Sequence, residues 1–241
     1  MSLAPLGISL ERVVKRFGPE IALLDIDLEI PQGSYVAVMG PNGAGKTTLL
    51  KVIAGLARPT SGHVSLAGVR LSDAGPGLRA LVGFLGHESM LYPDLTGLEN
   101  LMFHARLHRL AEPRKAALET AGLLEVETDL SRPVGSLSRG MRQRVAIARA
   151  VIHQPRVLLM DEPYTGLDEH AAASLASLLQ RLHTPERTVV VTIHEISRAL
   201  AGPERIVALA GGRIAMDVTT FEEHERISGE YLSLLARGGE R

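Results

Sequence analysis

A glycine-rich segment with a lysine and two threonines is the part of the sequence best suited to chemistry. Residues 40–48 are GPNGAGKTT, after an apolar strand-like run and before a helix-like run. In this context the pattern G-x-x-x-x-G-K-[ST] binds phosphate, because its glycines let backbone N–H groups turn towards phosphate oxygens. The positive end of the following helix strengthens the attraction. A turn that only caps a helix is the alternative, but it does not account for the lysine and the hydroxyl.

This segment, which we call the phosphate loop, predicts a defined role for each polar side chain. Lys46 would bring a positive charge to the β- and γ-phosphates, and the Thr47 hydroxyl would ligate Mg²⁺. Thr48 would hydrogen-bond a neighbouring phosphate. The predicted nucleotide-binding residues of the loop are Gly40, Pro41, Asn42, Gly43, Ala44, Gly45, Lys46, Thr47 and Thr48.

Two adjacent acids end the apolar run RVLLMDEP. Successive residues of a strand point to opposite sides, so Asp161 and Glu162 are not expected to do the same job. We assign Asp161 to Mg²⁺, and Glu162 to orienting or deprotonating an attacking water. The alternative is a helix N-terminus, where the helix dipole favours acids. The phosphate loop earlier in the chain favours the catalytic interpretation.

Composition limits the classes of protein that the chain could belong to. Its 241 residues are 45% hydrophobic and 22% charged, which is ordinary for one large or two small soluble domains. The net charge of −1 gives no electrostatic reason to expect a nucleic-acid partner. The absence of cysteine excludes disulfides, thiol catalysis and Cys-ligated zinc. We find no secretory signal, and the apolar runs are shorter than the ~20 residues that cross a bilayer.

Apolar patterning predicts β-rich parts on either side of a helical insertion. Strand-like runs lie at 8–17, 22–30, 34–40, 63–71, 80–87, 156–161 and 188–193. Helices are predicted at 46–56, 96–110, 169–182 and from 112 to Gly122. The last two strands are apolar throughout and alternate with helices, which indicates a parallel sheet with crossover helices. The predicted division is a core of 1–86 and 156–218, a helical subdomain of 87–155, and a C-terminal helix with a frayed tail at 219–241.

The segment SLSRGMRQRVAIARAVIHQPRVLLMDEPYTGLD, residues 136–168, resembles the signature region of ATP-binding cassette (ABC) proteins, whose usual motif is L-S-G-G-Q. The resemblance covers nearly the whole chain. It implies an α/β fold: a P-loop NTPase core with a mixed, largely parallel sheet. It also implies an N-terminal antiparallel β-subdomain and an inserted α-helical subdomain. ATP and Mg²⁺ are the implied cofactors, and a second nucleotide-binding subunit, either an identical copy or a paralogue, is an implied partner.

The resemblance also implies roles for residues outside the phosphate loop. Phe17 lies where the family stacks adenine, and TGLD matches the D-loop, which ends at Asp168. In a head-to-tail dimer, Ser138 and Gly140 would contact the nucleotide bound to the partner's phosphate loop. His194 matches the histidine that senses the γ-phosphate, although a core histidine at a strand end is the alternative.

Two residues depart from the family's signature. Arg139 replaces the usual first glycine and Met141 replaces the usual glutamine. The sequence leaves two outcomes open for Arg139: it projects outward, or it alters the affinity of the dimer for nucleotide.

His87 occupies a position that is usually glutamine in the family. There the residue contacts Mg²⁺ and the attacking water, and it relays the nucleotide state to the membrane partner. A neutral imidazole can replace the amide, because it offers one acceptor and one donor. Protonation would remove the acceptor, so ATPase activity is expected to fall more steeply between about pH 7 and 6 than in a His87→Gln variant.

Taken together, these features predict an ATP-hydrolysing subunit that powers transport through separate membrane subunits, docked near residues 85–105. Its expected location is the cytoplasmic face of the cell membrane. The segments LGH and LTGLENL resemble the ATP-binding subunits of haem exporters in cytochrome c maturation. A soluble ABC ATPase of cofactor assembly is the alternative, and a P-loop kinase or GTPase is disfavoured by the signature. His104 and His108 have metal-ligand spacing, but a solvated helix face is the simpler interpretation.

Overall fold

The computed structural model describes residues 7–220 and 224–238. Part of the N-terminal segment assessed for a secretory signal, and residues 221–223 and 239–241 of the predicted C-terminal helix and tail, lie outside the described residues. The strands are β1 (Ile8–Phe17), β2 (Glu20–Ile30), β3 (Tyr35–Met39), β4 (Ser61–Leu66), β5 (Val69–Arg70), β6 (Val82–Leu85), β7 (Val157–Met160), β8 (Thr188–Thr192), β9 (Arg205–Ala210) and β10 (Arg213–Thr219). The helices are α1 (Lys46–Ile53), α2 (Pro76–Arg79), α3 (Gly97–Leu107), α4 (Pro113–Leu123), α5 (Arg139–Val151), α6 (Glu169–Leu182), α7 (Ile196–Ala201) and α8 (His224–Gly238).

Two sheets organise these elements. The first is antiparallel, with the strand order β2-β1-β4-β5. The second has the order β10-β9-β3-β8-β7-β6, and all of its pairs are parallel except β9 with β10. The predicted α/β class, with an N-terminal antiparallel sheet and a mixed, largely parallel sheet, is confirmed.

Alternating side chains of the parallel strands contribute to two separate apolar cores. On β3, Val36 and Val38 pack with α1 and the antiparallel sheet, whereas Tyr35, Ala37 and Met39 pack with helices α3 to α6. Every residue of β3, β7 and β8 is buried, as expected for strands that are covered on both faces. Each such aliphatic side chain contributes about 1.5–3 kcal/mol through burial, so the strand ends are firmly positioned.

The helical insertion begins with an α3 whose start is defined by side chains. Thr96 Oγ1 accepts a hydrogen bond from Glu99 N (3.2 Å), and the Glu99 carboxylate accepts one from Thr96 N (2.8 Å). This reciprocal capping satisfies backbone donors at the helix start. Asn100 is fully buried and binds both the N–H (2.8 Å) and the carbonyl (3.0 Å) of Tyr92. The segment that leads into α3 is therefore fixed to the helix.

The structure differs from the sequence-based prediction mainly in hairpins. The predicted strand at 63–71 is two strands, because Ala67 and Gly68 adopt left-handed φ values of 51° and 74° and make a tight turn. The hairpin of β9 and β10 was missed, although its two turn residues, Gly211 and Gly212, are a typical hairpin signal. Helix α4 continues one residue beyond Gly122. Within the described ranges, no helix combines the length and apolarity that a bilayer crossing needs.

Candidate functional site

The phosphate loop connects β3 to α1 and depends on glycine at its tightest points. Gly40 has a φ of 140° and Gly45 a φ of 102°. A Cβ at Gly40 would lie 2.3 Å from the Leu209 carbonyl oxygen, and one at Gly45 would lie 2.4 Å from the Ala22 carbonyl oxygen. Any side chain at either position would therefore displace the loop backbone from the neighbouring chain.

Lys46 is buried at the start of α1 and bonds to its own loop. Its Nζ donates to the carbonyl oxygens of Gly40 (2.8 Å) and Pro41 (3.0 Å). Burial lowers the pKa of Lys46, while the nearby carboxylates of Glu162 and Asp161 act in the opposite direction. The ammonium group is thus held within the loop, where a phosphate oxygen would meet it.

Thr47 and Asp161 form an oxygen-rich pair beside the phosphate loop. Thr47 Oγ1 donates to Asp161 Oδ2 (2.8 Å), and Thr192 Oγ1 donates to Asp161 Oδ1 (2.9 Å). Asp161 is only 3% exposed, and the two hydroxyls fix the orientation of its carboxylate. Hydroxyl and carboxylate oxygens are the ligands that Mg²⁺ prefers, so the residues present fit that ion. Among the described residues, no group of three or more His, Asp or Glu side chains is arranged to hold a metal by itself.

Glu162 begins a loop, residues 162–168, that we call the acid loop. Its φ of 52° is left-handed, a strained conformation for a residue other than glycine. Its N–H donates to Thr192 Oγ1 (2.6 Å). Its carboxylate accepts hydrogen bonds from His194 Nε2 (2.6 Å) and Thr165 Oγ1 (3.1 Å). Two residues that were predicted to be catalytic, Glu162 and His194, are therefore in direct contact.

The electrostatics favour an ionised Glu162. Partial burial acts to raise the pKa of its carboxyl, but the hydrogen bond and charge of His194 outweigh it, with help from Thr165 and Lys46. The pKa of Glu162 is therefore held below its usual value. The two acids have different surroundings, since Asp161 is buried and Glu162 is partly exposed, although both lie beyond the last residue of β7.

A cavity of about 260 Å³ opens beside the phosphate loop. Its walls include the seven phosphate-loop residues 42–48, together with Phe17 and Glu162. The Phe17 side chain is 52% exposed, and Lys15 Nζ lies 4.7 Å from its ring centroid. An aromatic face thus lies at the same cavity as the phosphate loop, where an adenine could stack.

The predicted signature and D-loop residues cap two helices and do not line this cavity. Ser138 caps α5, accepting a hydrogen bond from Met141 N (3.3 Å). Asp168 caps α6, accepting one from Ala171 N (2.8 Å). In the described chain, Ser138, Gly140 and Asp168 are not among the residues that line the cavity at the phosphate loop. A single copy therefore does not bring these three residues to that cavity.

His87 follows the end of β6 and is exposed. The carbonyl of Leu85, the last residue of β6, accepts a hydrogen bond from Asp161 N (2.8 Å). His87 therefore lies two residues beyond the point where β6 contacts the acid pair. Its side chain makes no hydrogen bond to the described residues and does not line the cavity at the phosphate loop.

The helix face that was expected to be solvated is in part buried. His104 is half-buried, with an Nε2 that has no hydrogen-bond partner among the described residues. The exposed His108 stacks on His153 of the segment after α5, with ring centroids 3.8 Å apart. The expectation was wrong for His104, because α3 packs against α5 along this side.

Three residues of the site were missed from the sequence. Thr192 holds both Asp161 and the Glu162 backbone, and Thr165 holds the Glu162 carboxylate. Gln143 Nε2 donates to the Pro163 carbonyl (2.9 Å), which ties α5 to the acid loop. The signal for Thr192 was present, since it is a polar residue near the end of a strand that is otherwise nearly all valine.

Comparison with known proteins shows extensive similarity. A family model described as ABC transporter matches residues 23–165. The sulfate/thiosulfate import ATP-binding protein CysA of Burkholderia mallei is 40% identical over 217 residues, which cover 87% of this chain and 61% of that protein. The maltose/maltodextrin import ATP-binding protein MalK of Yersinia pestis bv. Antiqua is 37% identical over 212 residues, covering 87% of this chain and 57% of that protein. The chain thus spans about three fifths of the length of these relatives.

A solved structure matches over a larger share of its own length. The post-hydrolysis dimer of the ATP-binding cassette MJ0796, bound to ADP and Pi, superposes with a TM-score of 0.79 at 34% identity. The match covers 88% of this chain and 98% of that chain. The extent and identity of these matches lead to one conclusion: the chain belongs to the ABC transporter family.

Proposed function

We propose that this chain binds ATP with Mg²⁺ and hydrolyses it. The observation that supports this most directly is the contact of Thr47 Oγ1 with Asp161 Oδ2 at 2.8 Å. That contact joins the phosphate loop to the acid end of β7, so phosphate-binding and metal-binding groups meet at one place. Glu162 lines the same cavity and supplies the ionised carboxylate that attack by water needs.

The chain's own residues divide the work of hydrolysis. Phe17 stacks the base, and the phosphate loop with Lys46 holds the phosphates in place. Glu162 orients the attacking water and accepts its proton, while His194 fixes the carboxylate and senses the γ-phosphate. Mg²⁺, when bound by Thr47 and Asp161, would neutralise part of the phosphate charge.

A head-to-tail dimer completes the site in this proposal. Ser138 and Gly140 lie at the N-terminus of α5 but not at the chain's own phosphate loop. A helix N-terminus attracts anions, so in a dimer it would face the nucleotide on the partner's loop. The solved relative MJ0796 is described as a dimer bound to ADP and Pi, which supports this arrangement.

Mixing two inactive variants tests the shared site. Lys46→Ala removes the phosphate-loop cation, and Ser138→Ala removes the signature hydroxyl. A heterodimer of the two has one composite site that lacks both groups and one that is intact. The mixture should therefore regain part of the ATPase activity that neither variant shows alone. Complete inactivity, with heterodimers shown to form, would contradict the shared site.

We further propose that membrane subunits dock on the segment near residues 85–105, at the cytoplasmic face of the membrane. Met90 and Tyr92 are half-exposed there, and the Tyr92 ring packs edge-on against Phe103 at 5.4 Å. His87 lies in the same segment and would relay the nucleotide state to the partner. The relatives CysA and MalK are named as ATP-binding proteins of import systems, which supports a transport role for this chain.

Co-purification from membranes tests this part of the proposal. Met90→Asp should reduce recovery of a polytopic membrane protein while ATP binding is retained. Leu232→Asp is the matched control, because Leu232 is a similarly exposed apolar residue on α8. A soluble cofactor-assembly protein as the sole partner of the native chain would contradict a transport role.

The transported substrate is not part of this proposal. The resemblance of residues 85–87 and 95–101 to haem exporters has no support among the relatives named above, which are ATP-binding proteins of import systems. We therefore propose transport without assigning haem as the cargo. Identification of the membrane subunit would define both the cargo and the direction.

A further inference from the structure

Arg139, the residue that departs from the usual signature, contacts the acid loop of its own chain. Its Nη2 donates to the Thr165 carbonyl oxygen (2.9 Å). Its guanidinium also lies against Gly166, where a Cβ would be only 2.1 Å from Arg139 Cζ. Gly166 has a φ of 70°, so the loop is shaped here both by the glycine and by the arginine that covers it.

The same threonine that receives Arg139 also holds the proposed catalytic carboxylate. Thr165 Oγ1 donates to Glu162 Oε2 (3.1 Å), and Thr165 N donates to the Glu162 carbonyl (3.1 Å). A continuous series of hydrogen bonds therefore runs from Arg139 through Thr165 to Glu162. Gln143, one turn later on α5, fixes the Pro163 carbonyl of the same loop at 2.9 Å.

We propose that Arg139 is a positioning residue that sets the orientation of Glu162 through Thr165. The inference rests on the proposed ATPase function and on the shared site. In the proposed dimer, the N-terminus of α5 faces the nucleotide of the partner, whereas Glu162 serves the nucleotide of its own chain. Arg139 then links one composite site to the other, so that nucleotide at one phosphate loop aligns the carboxylate at the second.

This role differs from a direct contact between Arg139 and phosphate. A guanidinium that bound the partner's nucleotide would stabilise the bound substrate, and its loss would mainly raise KM. A residue that orients Glu162 acts on the attacking water instead, and its loss would mainly lower kcat. The hydrogen bond to Thr165 and the cover over Gly166 support the second role.

A double-mutant cycle on ATP turnover tests the proposal with the full-length chain. Arg139→Ala should lower kcat roughly threefold to tenfold, the effect of losing one hydrogen bond, with KM for ATP nearly unchanged. Thr165→Ala removes the hydroxyl that holds Glu162 but keeps the carbonyl that Arg139 contacts. In the Thr165→Ala background, Arg139→Ala should therefore have little further effect on kcat.

Two further variants test whether the loss of kcat comes from a structural defect or from the loss of any arginine. Arg139→Lys retains a cationic donor and should recover part of kcat, which a purely structural defect would not show. Arg181→Ala removes an exposed arginine whose Nη2 bonds Glu125 (3.0 Å) away from the acid loop, and it should turn over ATP like the native chain.

The possible results separate this proposal from the proposed function. A raised KM with native kcat in Arg139→Ala would overturn it, as would equal losses of kcat in both Thr165 backgrounds. A native chain that does not hydrolyse ATP would instead contradict the function itself. Melting temperatures of all variants show whether each is folded at the assay temperature.

Discussion

The phosphate loop and Glu162, the first residue of the acid loop, line the same cavity, but the two loops are held in place in different ways. The phosphate loop is fixed by its own backbone, with Lys46 bonded to two carbonyls of the loop. The acid loop is fixed by side chains from outside the loop: Thr192, His194, Arg139 and Gln143. A local segment therefore encodes the first loop, whereas tertiary contacts encode the second. A single substitution in the phosphate loop should therefore abolish activity. Substitutions around the acid loop should lower activity to different degrees.

The largest effect in the acid loop is expected from Glu162→Gln. The amide cannot accept a proton from water, so kcat should fall by roughly 10²- to 10⁴-fold while ATP still binds. The ATP-bound dimer should then accumulate, which size-exclusion chromatography with ATP would detect. Normal turnover by this variant would show that Glu162 does not activate the water and that the acid loop has no catalytic role.

A smaller effect is expected from Thr192→Val, which removes the hydroxyl that hydrogen-bonds to both Asp161 and Glu162. Valine has a similar volume but cannot bond Asp161 or accept from the Glu162 N–H, and both are partly or fully buried. Loss of a buried partner costs about 1–3 kcal/mol, so both stability and kcat should fall. Thermal unfolding and ATPase assays measure the two effects. Native values of both would show that the acid loop does not depend on β8.

Two histidines of the helical insertion, His104 on α3 and His153 just after α5, are expected to make its stability depend on pH. Burial, with the charges of Arg149 and His108, lowers the pKa of His104 and of His153 to about 4. Both are therefore neutral when folded, whereas the unfolded chain binds protons below about pH 6.5. Their contribution to stability is complete above that pH and is lost as the pH falls towards 4.

Thermal unfolding between pH 7 and 5 measures this effect. After allowance for solvent screening, each histidine should lower the free energy of unfolding by about 1 kcal/mol at pH 5 relative to pH 7. His153→Gln should reduce the pH dependence of the melting temperature, and His63→Gln, at an exposed position on β4, is the control. An unchanged pH dependence in His153→Gln would show that this packing does not set the stability of the helical insertion.

The smallest effect is expected from His87→Gln, and it concerns activity. His87 is exposed, and protonation of its imidazole would remove the acceptor that a glutamine amide keeps. ATPase activity of the native chain should fall about twofold to threefold more than that of the variant between pH 7 and 6. Parallel pH profiles would show that His87 takes no part in the reaction.

The sequence alone predicted the parts of the molecule that are locally encoded. The phosphate loop, the acid pair and the helix at 169–182 follow from short patterns of glycine, charge and apolar spacing. The contacts of Arg139 and Thr192 could not be predicted in the same way. Their partners lie 26 and 31 residues away, and only the packing of α5 and β8 brings them together. The missed hairpin of β9 and β10 is different, because its glycine pair was visible in the sequence.

If the phosphate loop supports ATP hydrolysis, the Lys46→Ala variant should not turn over ATP. The measurement is ATP binding and turnover by the purified variant beside the native chain, with a melting curve for each. Removal of the buried ammonium from the loop should abolish turnover while the fold is retained. Hydrolysis at the native rate by Lys46→Ala would contradict the assignment of the site and the function built on it.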